Sequence, residues 1–181
     1  RIVKGQAYAL RGYMYLHLAS SYTFAIDNNP DAPSVPIYLE PTTAKSQPGK
    51  RATVTEVYNQ AIKDLEEALA LIPEGYARSQ KFQIDQNVVL GLLSRANLYA
   101  RNWEKAKEYS DRLLLKANYL MNESEYKAGF NDANNREWIW GHPQTPDQSN
   151  ASYQFHFLDV TSKDSYYYSF NAEPYFKELF D

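Results

Sequence analysis

The chain has 181 residues and a formal net charge of −3, with 44% hydrophobic and 23% charged residues, so it can bury a core of ordinary size. Its balanced, slightly acidic charge shows no clustered Lys and Arg, which removes the electrostatic basis for binding nucleic acid or an anionic membrane. The absence of cysteine excludes disulfides, thiol catalysis and Cys-based zinc sites.

The N-terminal segment has the periodicity of an amphipathic helix from Ala7 to Tyr22. Residues recurring at steps of three and four predict one buried stripe, formed by Ala7, Leu10, Met14, His17 and Leu18. His17 is either a ligand-binding residue or, as is commoner for a single His between leucines, a hydrogen-bonded core residue. Arg1 opens the chain inside this pattern and EPYFKELFD closes it as the start of another helix, so we expect a piece of a longer protein.

The next segment, residues 23–52, is rich in proline. Prolines at this density deny the backbone its helical hydrogen bonds, and they stand at Pro30, Pro33, Pro36, Pro41 and Pro48. A connection of this length in a compact domain is functional, disordered or packed as an ordered excursion. The apolar stretch SVPIYL in its middle favours the ordered excursion.

A second helix is predicted to start at Thr53. Thr53 followed three residues later by Glu56 forms a capping-box pattern, in which each side chain binds the backbone N–H of the other residue. The predicted buried stripe is Val57, Ala61, Leu65, Ala68 and Ile72. Pro73 and Gly75 end the helix.

The third and fourth predicted helices form a hairpin. One runs from about Asp85 to Ala100 and the other begins after Asn102, a good N-cap, and so short a link requires an antiparallel pair. The residues predicted to face inward are Val89, Leu92, Leu93, Ala96, Tyr99, Trp103, Ala106, Tyr109 or Ser110, and Leu113. Small alanines at the crossing and large rings beside the turn are typical of tetratricopeptide hairpins. The first two helices would form a second, irregular hairpin stacked on this one.

After one short helical segment in YLMNESEYKAGF, the periodicity changes from 3.6 to 2 and aromatic residues become dense. In EWIWGH the rings of Trp138, Trp140 and His142 would share one face of a strand. The same alternation in SYQFHF predicts a second strand, with Tyr153, Phe155 and Phe157 on one face.

These rings have two interpretations. They seal the helical layer, or they form a platform on which the C–H faces of sugars stack while nearby polar side chains bind the hydroxyls. The proline-bounded segment between the strands favours a binding edge, since loops on a rigid scaffold often carry function. It contains Gln144, Asp147, Gln148 and Asn150.

The sequence contains no recognisable catalytic or metal-binding motif. It lacks the glycine fingerprints of nucleotide sites and the HExxH spacing of zinc enzymes. Adjacent Glu66 and Glu67 point in different directions from a helix, so a solvated face is expected there, not a glycosidase acid and base. No apolar run is long enough to span a bilayer. We therefore expect no enzyme activity and no cofactor, and the sequence identifies no metal-binding residues, although it leaves a bound ion such as calcium open.

The order of these blocks between Ala7 and His142 resembles the SusD/RagB family, outer-membrane nutrient-binding lipoproteins of Bacteroidetes-type bacteria. LRGYMYLHL resembles the family's first helix and VPIYL its loop, and RATVTEVYNQAIKDLEEALALIP resembles its most distinctive helix. The later blocks are VVLGLLSRANLYARNWEKAKEYSDRLL, YLMNESEYKAGF and EWIWGH.

This resemblance implies a mainly α fold with tetratricopeptide-like helical hairpins, long irregular loops and a few short strands in the C-terminal part. It implies one partial domain over residues 1–181, with a hairpin core at 7–117, an irregular aromatic-rich region at 118–181, and an N-terminal lipoprotein segment and a C-terminal part outside this chain. The implied ligand-binding residues are Trp140, Gln144, Gln148, Asn150 and Tyr153.

The function implied is non-catalytic binding of glycan or oligosaccharide nutrients at the cell surface and their delivery to a SusC-like TonB-dependent transporter. The protein would be held to the outer membrane by a lipid on a Cys outside this segment. A tetratricopeptide-like adaptor that grips a peptide or protein is the alternative. A hydrolase, resting on exposed carboxylates and aromatics, is the third hypothesis.

Overall fold

The computed structural model describes residues 1–116, 120–128, 132, 134–142 and 174–179. The chain divides into two compact units, Arg1–His142 and Pro143–Asp181. The first contains helices α1 (Ile2–Tyr22), α2 (Val54–Leu71), α3 (Gln86–Tyr99), α4 (Trp103–Leu114) and α5 (Glu123–Lys127), and strands β1 (Pro33–Pro36) and β2 (Arg51–Thr53). In the second, α6 (Pro174–Glu178) is the helix predicted in EPYFKELFD. The mainly helical fold is confirmed.

Helix α2 starts at the predicted capping box. The Thr53 hydroxyl accepts from the Glu56 N–H at 3.1 Å, and the Glu56 carboxylate accepts from the Thr53 N–H at 2.7 Å. Every residue of its predicted stripe, from Val57 to Ile72, is buried. Because α2 packs against both α1 and α3, it is the central helix of the first unit.

Helix α1 turns a different face to the core from the one predicted. Its buried residues are Gly5, Ala9, Gly12, Tyr15, Leu16 and Ala19, whereas Ala7, Leu10, Met14, His17 and Leu18 are exposed. A Cβ on Gly12 would lie 2.8 Å from the Ala61 carbonyl oxygen, so α1 approaches α2 through its small residues. The large apolar side chains are left on the outside. The expectation of a core position for His17 is therefore wrong.

Helices α3 and α4 pack together as the predicted hairpin, with Ala96 and Ala106 buried between them. Tyr99 and Trp103 flank the turn but are 43% and 54% exposed, so their predicted inward orientation is wrong. The buried position at this end belongs to Asn97, whose side chain accepts from the Asn102 amide at 3.2 Å. Asn102 therefore closes the turn and makes no side-chain cap.

The proline-rich connection is an ordered excursion, as predicted. Strand β1 pairs antiparallel with β2, Pro33 facing Thr53 and Pro36 facing Arg51. The Tyr15 hydroxyl donates to the Tyr38 carbonyl at 3.0 Å and accepts from its N–H at 2.6 Å. These contacts hold the excursion against α1.

Among the described helices, none combines the length and the apolar character needed to cross a bilayer.

Candidate functional site

Residues 135–142 form turns and bends, so the strand predicted over EWIWGH is wrong. Their backbone is bound by the loop that precedes α3: Arg78 and Lys81 donate side-chain hydrogen bonds to the carbonyls of Ile139 and Asn135. The Gly141 N–H donates to the Lys81 carbonyl at 3.4 Å. Side chains thus take the place that a neighbouring strand would occupy.

Arg78 connects this segment to the start of α3. Its Nε lies 3.0 Å from Asp85 Oδ2, and the two side chains are only 16% and 13% exposed. The other carboxylate oxygen of Asp85 accepts from the Val88 N–H at 2.9 Å and caps α3. Burial, aided by the positive charge of Arg78, lowers the pKa of Lys81. The segment is therefore anchored by a partly buried cationic pair.

The indole of Trp140 is held from two sides. Its Nε1–H donates to the Phe82 carbonyl at 2.9 Å, and its ring packs edge-to-face on Tyr13 with centroids 5.1 Å apart. Trp138 is 40% exposed, and His142 lies beside Phe82, with ring centroids 5.7 Å apart. The three rings that were predicted to share a face thus have separate environments.

A cleft of about 460 Å³ lies between this segment, α1 and α3. Such a volume is typical of sites for small ligands. The cleft is lined by Tyr13, Val88, Gly91, Leu92, Arg95, Glu137, Trp138, Ile139 and Trp140. Glu137 accepts from the Met121 N–H at 2.8 Å with one carboxylate oxygen. The lining combines apolar side chains from α3 with aromatic rings and two opposite charges.

The cleft continues along α1 and α3 as two further depressions. A depression of about 50 Å³ shares Tyr13 and Arg95 with the cleft, and another of about 350 Å³ shares Ser20 and Tyr99 with the first depression. We name these three spaces together the α1–α3 groove. Its lining includes both aromatic rings, such as Tyr13 and Tyr99, and groups that form hydrogen bonds, such as Ser20, a combination that suits a polyhydroxylated ligand.

Of the predicted site residues, the structure places Trp140 in the cleft. Gln144, Gln148, Asn150 and Tyr153 lie outside the described residues. Sequence reasoning missed Tyr13 and Arg95, which contribute to two of the three spaces. A signal for Arg95 was present, because it is a charged residue within the apolar run LLSRANLY.

The described part of the chain contains no group of three or more His, Cys, Asp or Glu side chains arranged to hold a metal ion.

The model of a SusD-like family, described as starch-binding and associating with the outer membrane, matches residues 1–98. A SusD-like carbohydrate binding protein from Bacteroides vulgatus has 65% sequence identity and a TM-score of 0.90, covering 99% of this chain and 38% of that one. Comparison with curated proteins finds no match.

SusD superfamily proteins from Bacteroides thetaiotaomicron and Bacteroides vulgatus each give a TM-score of 0.62 at 23% identity. They cover 68% and 69% of this chain and 27% and 29% of theirs, respectively. At this identity the likeness shows the shared fold. The chain spans well under half the length of each of these relatives.

Proposed function

The chain belongs to the SusD-like family, and we propose that it takes part in the non-catalytic binding of glycan or oligosaccharide nutrients at the bacterial cell surface. The observation that carries the proposal is 65% identity, over 99% of this chain, to a SusD-like carbohydrate binding protein. Because that relative is much longer than this chain, glycan capture is proposed for the whole protein, to which this segment contributes the helical wall and the groove.

The groove supports the proposal through its aromatic lining. Trp138 is exposed at its edge, so its ring is available to stack on the C–H face of a sugar. Trp140 has its N–H occupied by the Phe82 carbonyl, so it offers ring surface without a free donor. We also propose as ligand-binding residues Gln144, Gln148, Asn150 and Tyr153, because amide and phenol groups form hydrogen bonds with sugar hydroxyls.

Delivery to a SusC-like TonB-dependent transporter is the second part of the proposal. Anchoring to the outer membrane would come from a lipid outside this segment. Purification of the tagged full-length protein from solubilised outer membranes tests this, and we expect a TonB-dependent transporter to co-purify. Recovery of a soluble partner without a transporter would favour the adaptor hypothesis.

Glycan binding is tested on the full-length protein by affinity gels and calorimetry against a panel of polysaccharides. We expect Trp138→Ala to weaken binding about fivefold to tenfold, since one aromatic stacking contact contributes on the order of 1 kcal/mol. Trp103→Ala is the matched control, because Trp103 is 54% exposed and lies at the α3–α4 turn.

Binding of no polysaccharide in the panel would refute glycan capture. Equal losses of glycan affinity in the two Trp variants would show that the binding site is not the cleft. Release of sugar products by the pure protein would contradict the non-catalytic part and revive the hydrolase hypothesis.

A further inference from the structure

We propose that the α1–α3 groove selects acidic glycans, and that Arg95 is the specificity-determining residue that binds a carboxylate or sulfate group of the sugar. This inference rests on the proposed function, since it names the substrate class of the same site.

Arg95 is an exposed cation that makes no hydrogen bond or ion pair with any residue that the structure describes. Other arginines of the helical unit are engaged with carboxylates: Arg11 with Asp64, Arg78 with Asp85 and Arg101 with Asp27. Binding an anion at Arg95 therefore breaks no ion pair among the described residues. The guanidinium of an arginine carries five N–H donors, and Arg95 lines two of the three spaces of the groove.

The position of Arg95 suits recognition of one group within a chain of sugars. It lines both the cleft and the adjoining depression, with Tyr13 in both spaces and Tyr99 in the depression. The Tyr13 ring is itself oriented, edge-to-face against His17 at 4.9 Å and against Trp140 at 5.1 Å. A sugar ring lying on these aromatics would bring its substituents next to the guanidinium.

The charges around the groove set where the acidic group lies. Glu137 lines the cleft near Trp138 and repels an anion there, although one of its oxygens is bound to the Met121 N–H. At the far end Arg101 is paired with Asp27 at 2.6 Å. The acidic group is therefore placed at Arg95 on the side that leads to Tyr99, away from Glu137.

The planar fork of arginine matches the geometry of a carboxylate or sulfate and forms charge-assisted hydrogen bonds, which are about twice as strong as neutral ones. A neutral sugar offers hydroxyl acceptors alone, so it gains less from the same guanidinium. This difference is the basis of the selection.

The experiment compares acidic and neutralised forms of the same glycans on the full-length protein. Calorimetry is run with polygalacturonate and chondroitin sulfate fragments and with their carboxyl-reduced and desulfated counterparts. We expect an acidic form to bind at least tenfold more tightly than its neutralised form, with an affinity that falls as salt is raised. Arg95→Gln should abolish this preference and Arg95→Lys should retain part of it.

The control variant is Arg112→Gln, since Arg112 is an exposed arginine on α4 that pairs with Glu108 and does not line the groove; it should leave the preference unchanged. Equal binding of acidic and neutralised forms, or an acidic preference that survives Arg95→Gln, overturns the inference and leaves glycan capture standing. If no glycan binds, whether acidic or neutral, both the proposed function and this inference are refuted.

Discussion

The α1–α2 contact and the segment 135–142 are both ordered parts of the first unit, but different interactions hold them. The first is a helix–helix contact made by small residues beside an ion pair whose carboxylate is buried. The second has no regular secondary structure: Arg78 and Lys81 donate to its backbone carbonyls, and its own Glu137 side chain accepts from the Met121 N–H. The α1–α2 contact, which we call the wall, is thus held by packing. Residues 135–142, which we call the cleft edge, are held by hydrogen bonds between side chains and backbone.

The ion pair of the wall is bidentate. Arg11 Nε and Nη2 lie 2.7 and 2.8 Å from the two oxygens of Asp64, and Gln60 donates a further hydrogen bond to Asp64 at 2.9 Å. The hydrogen bond to Asp64, reinforced by its charge, raises the pKa of Arg11. Arg11 also donates to the Leu39 carbonyl at 2.9 Å, so one side chain ties α1 to α2 and to the proline-rich excursion.

Removal of Asp64 is expected to have the largest effect. Its side chain is 2% exposed and that of Arg11 is 29% exposed, so Asp64→Ala leaves a partly buried guanidinium and the Gln60 amide without their acceptor and should lower the free energy of unfolding by on the order of 3 kcal/mol. Urea unfolding measures it. The control is Asp111→Ala, which breaks an exposed i,i+4 pair with Lys107 and should cost less than about 0.5 kcal/mol. Equal losses in the two variants would contradict a buried role for Asp64.

Removal of Arg78 should come next and act on the other region. Arg78→Met leaves Asp85 without its ion pair and the carbonyls of Lys81, Gln83 and Ile139 without this donor, which costs about 2 kcal/mol. Hydrogen exchange should show faster exchange at residues 135–142, together with a red shift of tryptophan fluorescence.

Arg78→Lys is the matched control, because it keeps a positive charge beside Asp85 but loses the planar guanidinium with its several donors. It should increase hydrogen exchange at residues 135–142 less than Arg78→Met does. If α1 and α2 lose protection as much as the segment does in Arg78→Met, the two regions do not behave as separately held parts.

Two glycine substitutions compare the close packing of the wall, at Gly12, with a looser position on α3, at Gly91. Gly12→Ala places a Cβ 2.8 Å from the Ala61 carbonyl and 3.0 Å from Leu65, and this overpacking outweighs the gain in helix propensity, for a net loss of roughly 1–2 kcal/mol. At Gly91 the nearest atom to an added Cβ is 3.8 Å away, so Gly91→Ala should stabilise by up to about 1 kcal/mol. Thermal unfolding measures both, and a stabilised Gly12→Ala would contradict the close approach of α1 and α2.

These two regions also differ in how far their structure follows from the sequence. The capping box at Thr53 and the stripe of α2 are local patterns, and both are confirmed. The prediction of the buried face of α1 was wrong, because a search for periodicity follows the large apolar residues, whereas the contact with α2 is made through Gly12 and Ala9.

The cleft edge could not be derived from local patterns. Alternation in EWIWGH is compatible with a strand, and what decides against it is a set of distant donors, with Arg78 lying 61 residues from the Ile139 carbonyl that it binds. The position of Trp140 against Tyr13 likewise depends on how α1 packs. Of the predicted site residues, only Trp140 falls within the described part of the chain, so the other four stay predictions.

The smallest expected effect contrasts the α4–α2 contact with the cleft edge, because stability responds to alkaline pH with opposite signs at the two places. Burial, with the neighbouring Glu66 carboxylate, raises the pKa of Tyr109 to about 12, and its hydroxyl donates to Glu66 at 3.1 Å between α4 and α2. The unfolded chain then loses the Tyr109 proton near the ordinary tyrosine pKa, while the folded chain retains it. The contribution of Tyr109 to stability is complete below pH 10 and is lost between about pH 10 and 12.

At the cleft edge the sign is opposite, because burial lowers the pKa of Lys81 and its neutralisation on raising the pH favours the folded state. We expect Tyr109→Phe to flatten the alkaline decline in the free energy of unfolding by on the order of 1 kcal/mol, measured by urea titrations from pH 9 to 12. Tyr175→Phe is the control, since Tyr175 is 69% exposed and has no such burial. An alkaline decline of the same steepness in Tyr109→Phe and in the parent would show that Tyr109 ionises alike in the folded and unfolded chains, which its burial between α4 and α2 argues against.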